Sequence, residues 1–587
     1  MLQDPRPAFL NVTSSLTGRR WVGPDTETDR HAEALAQSTR LPRPLCQTLA
    51  RLGVPPADVT AYLDPKLRDL LPDPRHFKDM ETAASRFLAE VNRKGRIAIF
   101  ADYDVDGGAS AALLIDWLRQ SGLGATLYIP DRIDEGYGPN PEAMAELARA
   151  HDLIICVDCG TLSHEAITAA KDADVLVLDH HLGGETLPEA EAIVNPNRQD
   201  ETGDHGHLCA AAVVFLMLVE SGRQLRAAGR NGPDLMAMLD LVALATVADV
   251  APLRGVNRAF VRQGLKIMAE RRRPGLVALS DIARLDTAPT PYHLGFVLGP
   301  RINAGGRVGK ADLGARLLAT QDSSEAAALS ERLDQLNTER RDIEAAVRDA
   351  ALAQAETRGL DAPLVWAAAD GWHPGVVGIV ASRLKELTNR PAVVIGFEGD
   401  EGKGSGRSVS GVDLGASVQR LAAEDLLIKG GGHRMAAGLT VARGKIDAAM
   451  ARLSDLLARQ GAGGNSGAAD LSLDGLLMPQ AATPDLVAQI ETAGPFGAGA
   501  PAPRYAFADM TIGFAKRVGD THLKLRFGDG TGPQMDGIAF GAFEGPIGPR
   551  LLDHGGAHFH LAGRLDLNTW GGRQSVQLRL EDVSPAH

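Results

Sequence analysis

Between Arg96 and Leu114 an apolar run, Ile97-Ala-Ile-Phe100-Ala101, ends in carboxylates at alternate positions: Asp102, Asp104 and Asp106. Gly107-Gly108 and a small-residue helix pattern follow. A run without polar residues fits a strand buried on both faces. Three acids at its end repel one another and lose hydration, which is costly unless cations neutralise them. Alternating Asp residues in an ordinary loop are solvated turn formers. At the end of an interior strand they stand where open α/β sheets collect their ligands. Divalent-metal binding is the reading they favour.

The same logic extends down the chain. Strands are expected at Ala125–Ile129, Leu153–Val157, Val175–Leu178 and Ala192–Val194, with helical stretches such as Ala109–Leu118 and Pro141–Ala150 between them. This alternation implies a mostly parallel sheet covered by helices. Several of these strands deliver acids or histidines at their carboxyl ends: Asp131 to Glu135, Asp158, and Asp179-His180-His181. Cys156-Val-Asp158-Cys159 is not a zinc site, since no second Cys pair exists. An apolar helix pattern then reaches Asp249 before Pro252, which suits either a helix end or a ligand. Gly299-Pro-Arg301-Ile-Asn-Ala-Gly-Gly-Arg307 reads as a Gly-rich loop with two arginines suited to phosphate.

Ser324–Glu356 repeats apolar residues at helical spacing and reads as a connector helix. A second α/β unit follows, with strands at Leu364–Ala368 and Ala392–Ile395 and a helix over Gly375–Leu387. Gly402-Lys-Gly-Ser405-Gly-Arg407-Ser408 and Lys429-Gly-Gly-Gly-His433 read there as two glycine-rich loops with cationic donors, which favours phosphate binding. From Arg504 onward, short alternating runs suit a small OB-like β-barrel. Its Arg517, Lys524, Arg526, Arg564 and Arg573 lie among Phe514, Phe527 and Trp570, a mixture suited to single-stranded nucleic acid or simply to a solvated surface.

The totals set bounds. At 587 residues the chain needs several cores. The expected division is a cap region (1–85), a catalytic core (86–320), a long connector helix (321–360), a substrate-binding domain (361–460), a linker and helix (461–503) and the barrel (504–587). A net charge of −13 argues against coating nucleic acid non-specifically, though a local basic groove is compatible with it. Four cysteines fit a reducing compartment. With no apolar run long enough for a bilayer and no apolar signal core at the start, no membrane contact and a cytoplasmic location are expected.

The acid cluster, Asp158, Asp179-His180-His181, Asp249 and Gly-Gly-Gly-His433 together resemble the DHH phosphoesterase superfamily. Within it the chain is similar to the single-strand-specific DNA exonucleases over nearly its whole length from about residue 20. Leu41-Pro-Arg-Pro-Leu45, Ile129-Pro-Asp-Arg-Ile-Asp-Glu-Gly-Tyr-Gly138, Gly299 to Arg307 and Asp370-Gly-Trp-His373-Pro-Gly-Val-Val-Gly378 also carry the resemblance. The order of parts agrees: DHH core, long helix, DHHA1 domain, OB-like barrel. Where the family often has Ala-Ala-Gly-Arg, this chain has Ala304-Gly-Gly-Arg307.

The resemblance implies a hydrolase with two divalent ions, Mn²⁺ or Mg²⁺, that degrades single-stranded DNA from its 5′ end to mononucleotides, in repair and recombination. It places Asp104, Asp106, Asp158, His180 and Asp249 on metal-ligand positions, with Asp102 and His181 beside them. It puts Arg132, Ser405 and Arg407 on the terminal 5′ phosphate, and Arg301, Arg307 and His433 against the DNA backbone. It further implies a monomer working with a single-strand-binding protein and a helicase. Two alternatives stand beside it. One is a DHH phosphoesterase for very short oligonucleotides, cyclic dinucleotides or pyrophosphate, although such enzymes typically lack the barrel. The other is a silent scaffold, although such proteins lose ligand residues that are present here.

Overall fold

The computed structural model describes residues 6–131, 135–136, 138–463, 470–570 and 573–586. Arg132 and most of the linker expected at Gly461–Ala469 lie outside them.

Five strands form the first sheet: β1 (Ile97–Ala101), β2 (Thr126–Tyr128), β3 (Leu153–Val157), β4 (Asp174–Leu178) and β5 (Ala192–Val194). All pair in parallel in the order β2-β1-β3-β4-β5. The apolar run of β1 divides by alternation. Ile97 and Ile99 pack with Leu113 and Leu114, while Ala98 and Phe100 pack with Met144 and Leu147 on the opposite face. Burial on both faces leaves the strand ends as the place where polar groups emerge.

Three helices matter for the site. They are α1 (Val105–Gln120), α2 (Ala210–Ala227) and α3 (Leu239–Ala248). At the base of the core, buried Arg273 bridges Asp116 of α1 (Nη1 to Oδ2, 2.5 Å) and Asp240 of α3 (Nε to Oδ2, 2.7 Å). The segment expected as a Gly-rich loop is instead helix α4 (Gly299–Val308), entered through a π-helical turn, His293–Leu298. The connector is α5 (Ser323–Arg358), 36 residues and so about 54 Å long. Asp322 caps its start by accepting from the Ser324 and Glu325 amides. Its Leu329 and Leu333 join the first core, whereas Val347, Ala351 and Ala355 join the second domain.

The second domain holds a mixed sheet. Its strands are β6 (Val365–Asp370), β7 (Ala392–Glu398), β8 (Glu401–Arg407), β9 (Lys429–His433) and β10 (Ala436–Ala442), in the order β9-β10-β8-β7-β6. Helix α6 (Pro374–Thr388) packs on it. Both glycine-rich stretches expected as loops are therefore strands. In β8 a Cβ on Gly402 would meet Phe397 at 2.7 Å, and one on Gly406 would meet Leu414 at 2.7 Å. Glycine marks the covered face of β8, and the alternate residues Lys403, Ser405 and Arg407 share the other.

The C-terminal strands are β11 (Tyr505–Val518), β12 (His522–Gly528), β13 (Met535–Ala539), β14 (His558–Trp570) and β15 (Arg573–Pro585). They pair in the order β11-β12-β13-β15-β14, and β14 returns to β11, closing a five-stranded barrel. Phe527, expected among surface aromatics, is buried in its core, whereas Phe514 is exposed opposite Arg526. Residues before the first sheet tie the barrel down: Trp21 Nε1 donates to Asp582 (2.9 Å) and Arg51 pairs with Asp474 (2.6 Å). Among the described residues, no helix is long and apolar enough to cross a membrane.

Candidate metal and nucleic-acid site

The carboxyl edge of the first sheet gathers the acids. Asp102 follows β1, and Asp104 caps α1 by accepting from the Asp106 and Gly107 amides at 2.8 and 3.1 Å. Asp106, in the first turn of α1, accepts from the Ala210 and Ala211 amides at the start of α2 (2.7 and 2.8 Å). Asp158 follows β3 with φ +61°, a left-handed backbone that a non-glycine residue adopts at a cost of about 1–3 kcal/mol. Asp249 caps the C-terminus of α3, where the helix dipole opposes a negative charge.

His180 stands among three of these carboxylates. Its Nε2 is 3.2 Å from Asp158 and 3.6 Å from Asp106, and its Nδ1 is 3.8 Å from Asp249. Donor atoms converge in three overlapping groups, each within 4.8 Å: Asp158, His180 and His181; Asp106, His180 and Asp249; Asp102, Asp104 and Asp158. All seven acids and histidines singled out from the sequence thus meet in one cluster.

Burial pushes the Asp158 carboxyl well above its ordinary range, reinforced by Asp106, Asp104 and Asp102. Burial, with Asp106 and Asp104, pushes Asp249 to about 8. Asp106 is raised by burial too, against the pull of His180. Such a set cannot ionise together without added positive charge. Carboxylate oxygens joined by imidazole nitrogens are a donor set that fits Mn²⁺ and Mg²⁺. Asp179 behaves oppositely: despite burial, His181 and Thr161 hold its carboxyl well below the usual range. It accepts from His181 Nδ1 at 2.8 Å and from Thr161 Oγ1 at 2.6 Å. Although burial disfavours a charged imidazole, Asp179 raises His181 to about 9.

Two further residues complete the support, and the sequence reading passes over both. Asn195 donates to the His181 carbonyl and to Thr161 Oγ1, each at 2.8 Å, and Asn197 donates to the His180 carbonyl at 2.6 Å. Asn195-Pro-Asn197 directly after β5 is the signal that marks them. Both hold the backbone of the two histidines.

The cationic residues lie on α4 and beyond it. Arg307 Nη1 donates to the Gly375 carbonyl at the start of α6 (3.1 Å). Arg301 turns inward, Nε to Asp334 of α5 (2.8 Å) and Nη1 to the Val297 carbonyl (2.8 Å). Arg407 Nη1 donates to Ser405 Oγ (2.9 Å). His433 is exposed at the end of β9.

Three close approaches join these donors to the acids. A Cβ on Gly306 would lie 2.9 Å from the Tyr103 carbonyl, and one on Gly375 would lie 2.3 Å from the Arg307 carbonyl. One on Gly378 would lie 3.0 Å from Ser405 Oγ. The acid cluster, α4, α6 and β8 therefore form one continuous surface.

Three family models match the chain: the DHH family, N-terminal domain, over residues 96–246; the DHHA1 domain over 361–459; and the RecJ OB domain over 473–582. The single-stranded-DNA-specific exonuclease RecJ of Dickeya dadantii is 38% identical over 519 residues, covering 84% of this chain and 88% of that protein. The crystal structure of RecJ in complex with Mn²⁺ from Thermus thermophilus aligns with a TM-score of 0.80 at 28% identity, over 96% of this chain and 79% of that one. The corresponding Mg²⁺ complex aligns with a TM-score of 0.73 at 27% identity, over 96% and 78%.

Proposed function

The chain belongs to the RecJ family of single-stranded-DNA-specific exonucleases, and we propose that it removes mononucleotides from the 5′ end of single-stranded DNA in repair and recombination. The observation that carries this reading is the cluster of raised, buried carboxylates around His180. When bound, two divalent ions, Mn²⁺ or Mg²⁺, lower the pKa of the attacking water and offset charge developing on the phosphorus and the leaving oxygen.

Asp104, Asp106, Asp158, His180 and Asp249 hold the ions, with Asp102 and His181 alongside. Asp179 orients His181, since its carboxylate accepts from the imidazole and from both histidine amides. Ser405 and Arg407, with Arg132, take the terminal 5′ phosphate. Arg301, Arg307 and His433 face the strand, and the bond from Arg301 to Asp334 also sets α4 against α5. The space between the core and the second domain admits one strand and excludes duplex. The protein acts as a cytoplasmic monomer, with a single-strand-binding protein and a helicase supplying accessible strands.

The test uses 5′-phosphorylated single-stranded DNA labelled at its 3′ end, with Mn²⁺ or EDTA, for wild type and Asp158→Ala. Mononucleotide release abolished by the chelator and by the substitution supports the reading. Equal digestion of blunt duplex, or hydrolysis of dinucleotides alone, rejects it.

A further inference from the structure

The π-helical turn before α4 presents two opposite faces. Leu294 and Leu298 point into the core, whereas Tyr292 and Phe296 stand outward at 53% and 72% exposure. The outward rings are not independent: their centroids are 5.3 Å apart and their planes 25° apart, a stacked pair. Two large aromatic faces left in water carry a hydrophobic cost that a solvent-facing helix would normally avoid. π-Helical turns also concentrate at functional sites.

The location is specific. A Cβ on Gly295 would lie 3.4 Å from Val247 Cγ1, and one on Gly299 would lie 3.4 Å from the Ala248 Cβ. The aromatic pair is thus carried on a segment packed against the last turn of α3, which ends in Asp249. On that turn Val250 is 69% exposed at φ +59°. A β-branched residue held there is a backbone outlier, of the kind that clusters where a ligand is gripped. Immediately downstream, Asn303 of α4 accepts from the Val105 amide at the start of α1.

We propose that Phe296 and Tyr292 form a stacking platform for a nucleobase of the single strand entering the acid cluster. The inference rests on the exonuclease reading and names a part of the substrate that the phosphate donors do not touch. The occupant is a base rather than a protein because the segment that carries the platform packs against the turn that leads into Asp249. An enzyme that must accept every base needs contacts indifferent to base identity, and an aromatic face provides that. A base inside a duplex is stacked and paired and must be freed before it can lie on the platform, so the same platform favours single strands over duplex.

The test measures binding and Mn²⁺-dependent hydrolysis of 5′-phosphorylated oligothymidylate, and of versions with one abasic residue placed at successive positions. The full-length wild type, Phe296→Ala and Phe296→Tyr are compared. For wild type, one abasic position should weaken binding on the order of tenfold. Phe296→Ala should lose a similar factor on the intact strand and nothing further at that abasic position, while Phe296→Tyr retains wild-type behaviour. The exposed side chain can be removed without unfolding, which an unchanged Tm verifies. Unaltered DNA affinity in Phe296→Ala, as expected if the pair docks a protein, would overturn the proposal. So would an equal loss on intact and abasic strands. A wild type that degrades no strand at all would overturn the exonuclease reading, and this inference with it.

Discussion

Helices α1 and α3 each carry a buried or half-buried acid at or next to both ends, and the two ends have opposite fates. At the base, Asp116 and Asp240 share the guanidinium of Arg273, and Arg119 adds a second contact to Asp116 (2.7 Å). At the carboxyl edge of the sheet, Asp106 and Asp249 converge on His180 with Asp158 and Asp104 nearby, so the group at their centre is a titratable imidazole rather than a guanidinium. The chain supplies a permanent cation where carboxylates serve the fold. Where they are placed to serve chemistry, it sets a titratable imidazole among them. Buried acidity alone does not identify a site; the identity of the neutralising partner does.

That contrast can be broken at either end. The largest expected effect is on activity at the upper cluster: Asp249→Asn should lower kcat on the order of 10³-fold. The metal-free protein should remain as stable as wild type at pH 8 in urea unfolding, because a neutral amide replaces a carboxyl that burial disfavours. At the base the consequence inverts. Arg273→Met should destabilise by about 3–5 kcal/mol by leaving two acids buried without their cation. Adding Asp116→Asn and Asp240→Asn should recover much of that loss, with kcat per folded molecule unchanged throughout. A smaller effect tests the support of the histidines: Asn195→Ala should reduce Mn²⁺ affinity and kcat about 10–100-fold with little change in KM.

The gentlest test is pH. Asp249 in the folded protein sits at about 8, above the roughly 3.9 of an unfolded aspartate. The folded chain therefore holds a proton that the unfolded chain releases. This group's contribution to metal-free stability is complete below about pH 4 and is lost as the pH rises to about 8. Cation binding must displace the same proton, so the rise in Tm produced by Mn²⁺ should be larger at pH 8 than at pH 6. An equal rise at both would mean that Asp249 is not a ligand.

The upper cluster was legible because its signals are contiguous. An unbroken apolar strand followed at once by acids places those acids without knowledge of the rest of the fold. The second domain was legible as an α/β unit but not in the form of its glycine-rich stretches. Gly402-Lys-Gly-Ser-Gly-Arg407 looks like a loop to any rule that treats glycine as a breaker, yet its period of two is that of a strand pressed under Phe397 and Leu414. In the barrel, the alternation from Arg504 onward reads as short strands, whereas β11 runs through 14 residues, Tyr505–Val518. Asp509 at φ +59° and shifts of register let it bend and pair with two neighbours. Asn195 and Asn197 were missed because Asn-Pro-Asn after a strand reads as a turn, and only the fold shows that their amides reach the histidine carbonyls after the neighbouring strand β4.

The three close approaches from Tyr103 through Gly306, Gly375 and Gly378 to Ser405 carry a consequence for accuracy. Side chains hop between rotamers, but stacked peptide planes have a fixed thickness. On the proposed reading, with Ser405 and Arg407 on the terminal phosphate and the acids on the next linkage, the step from end to cut is gauged by two main-chain contacts and one to the short Ser405 side chain. An enzyme that shortens a polymer one unit at a time thereby has its unit of length built into its least adjustable parts.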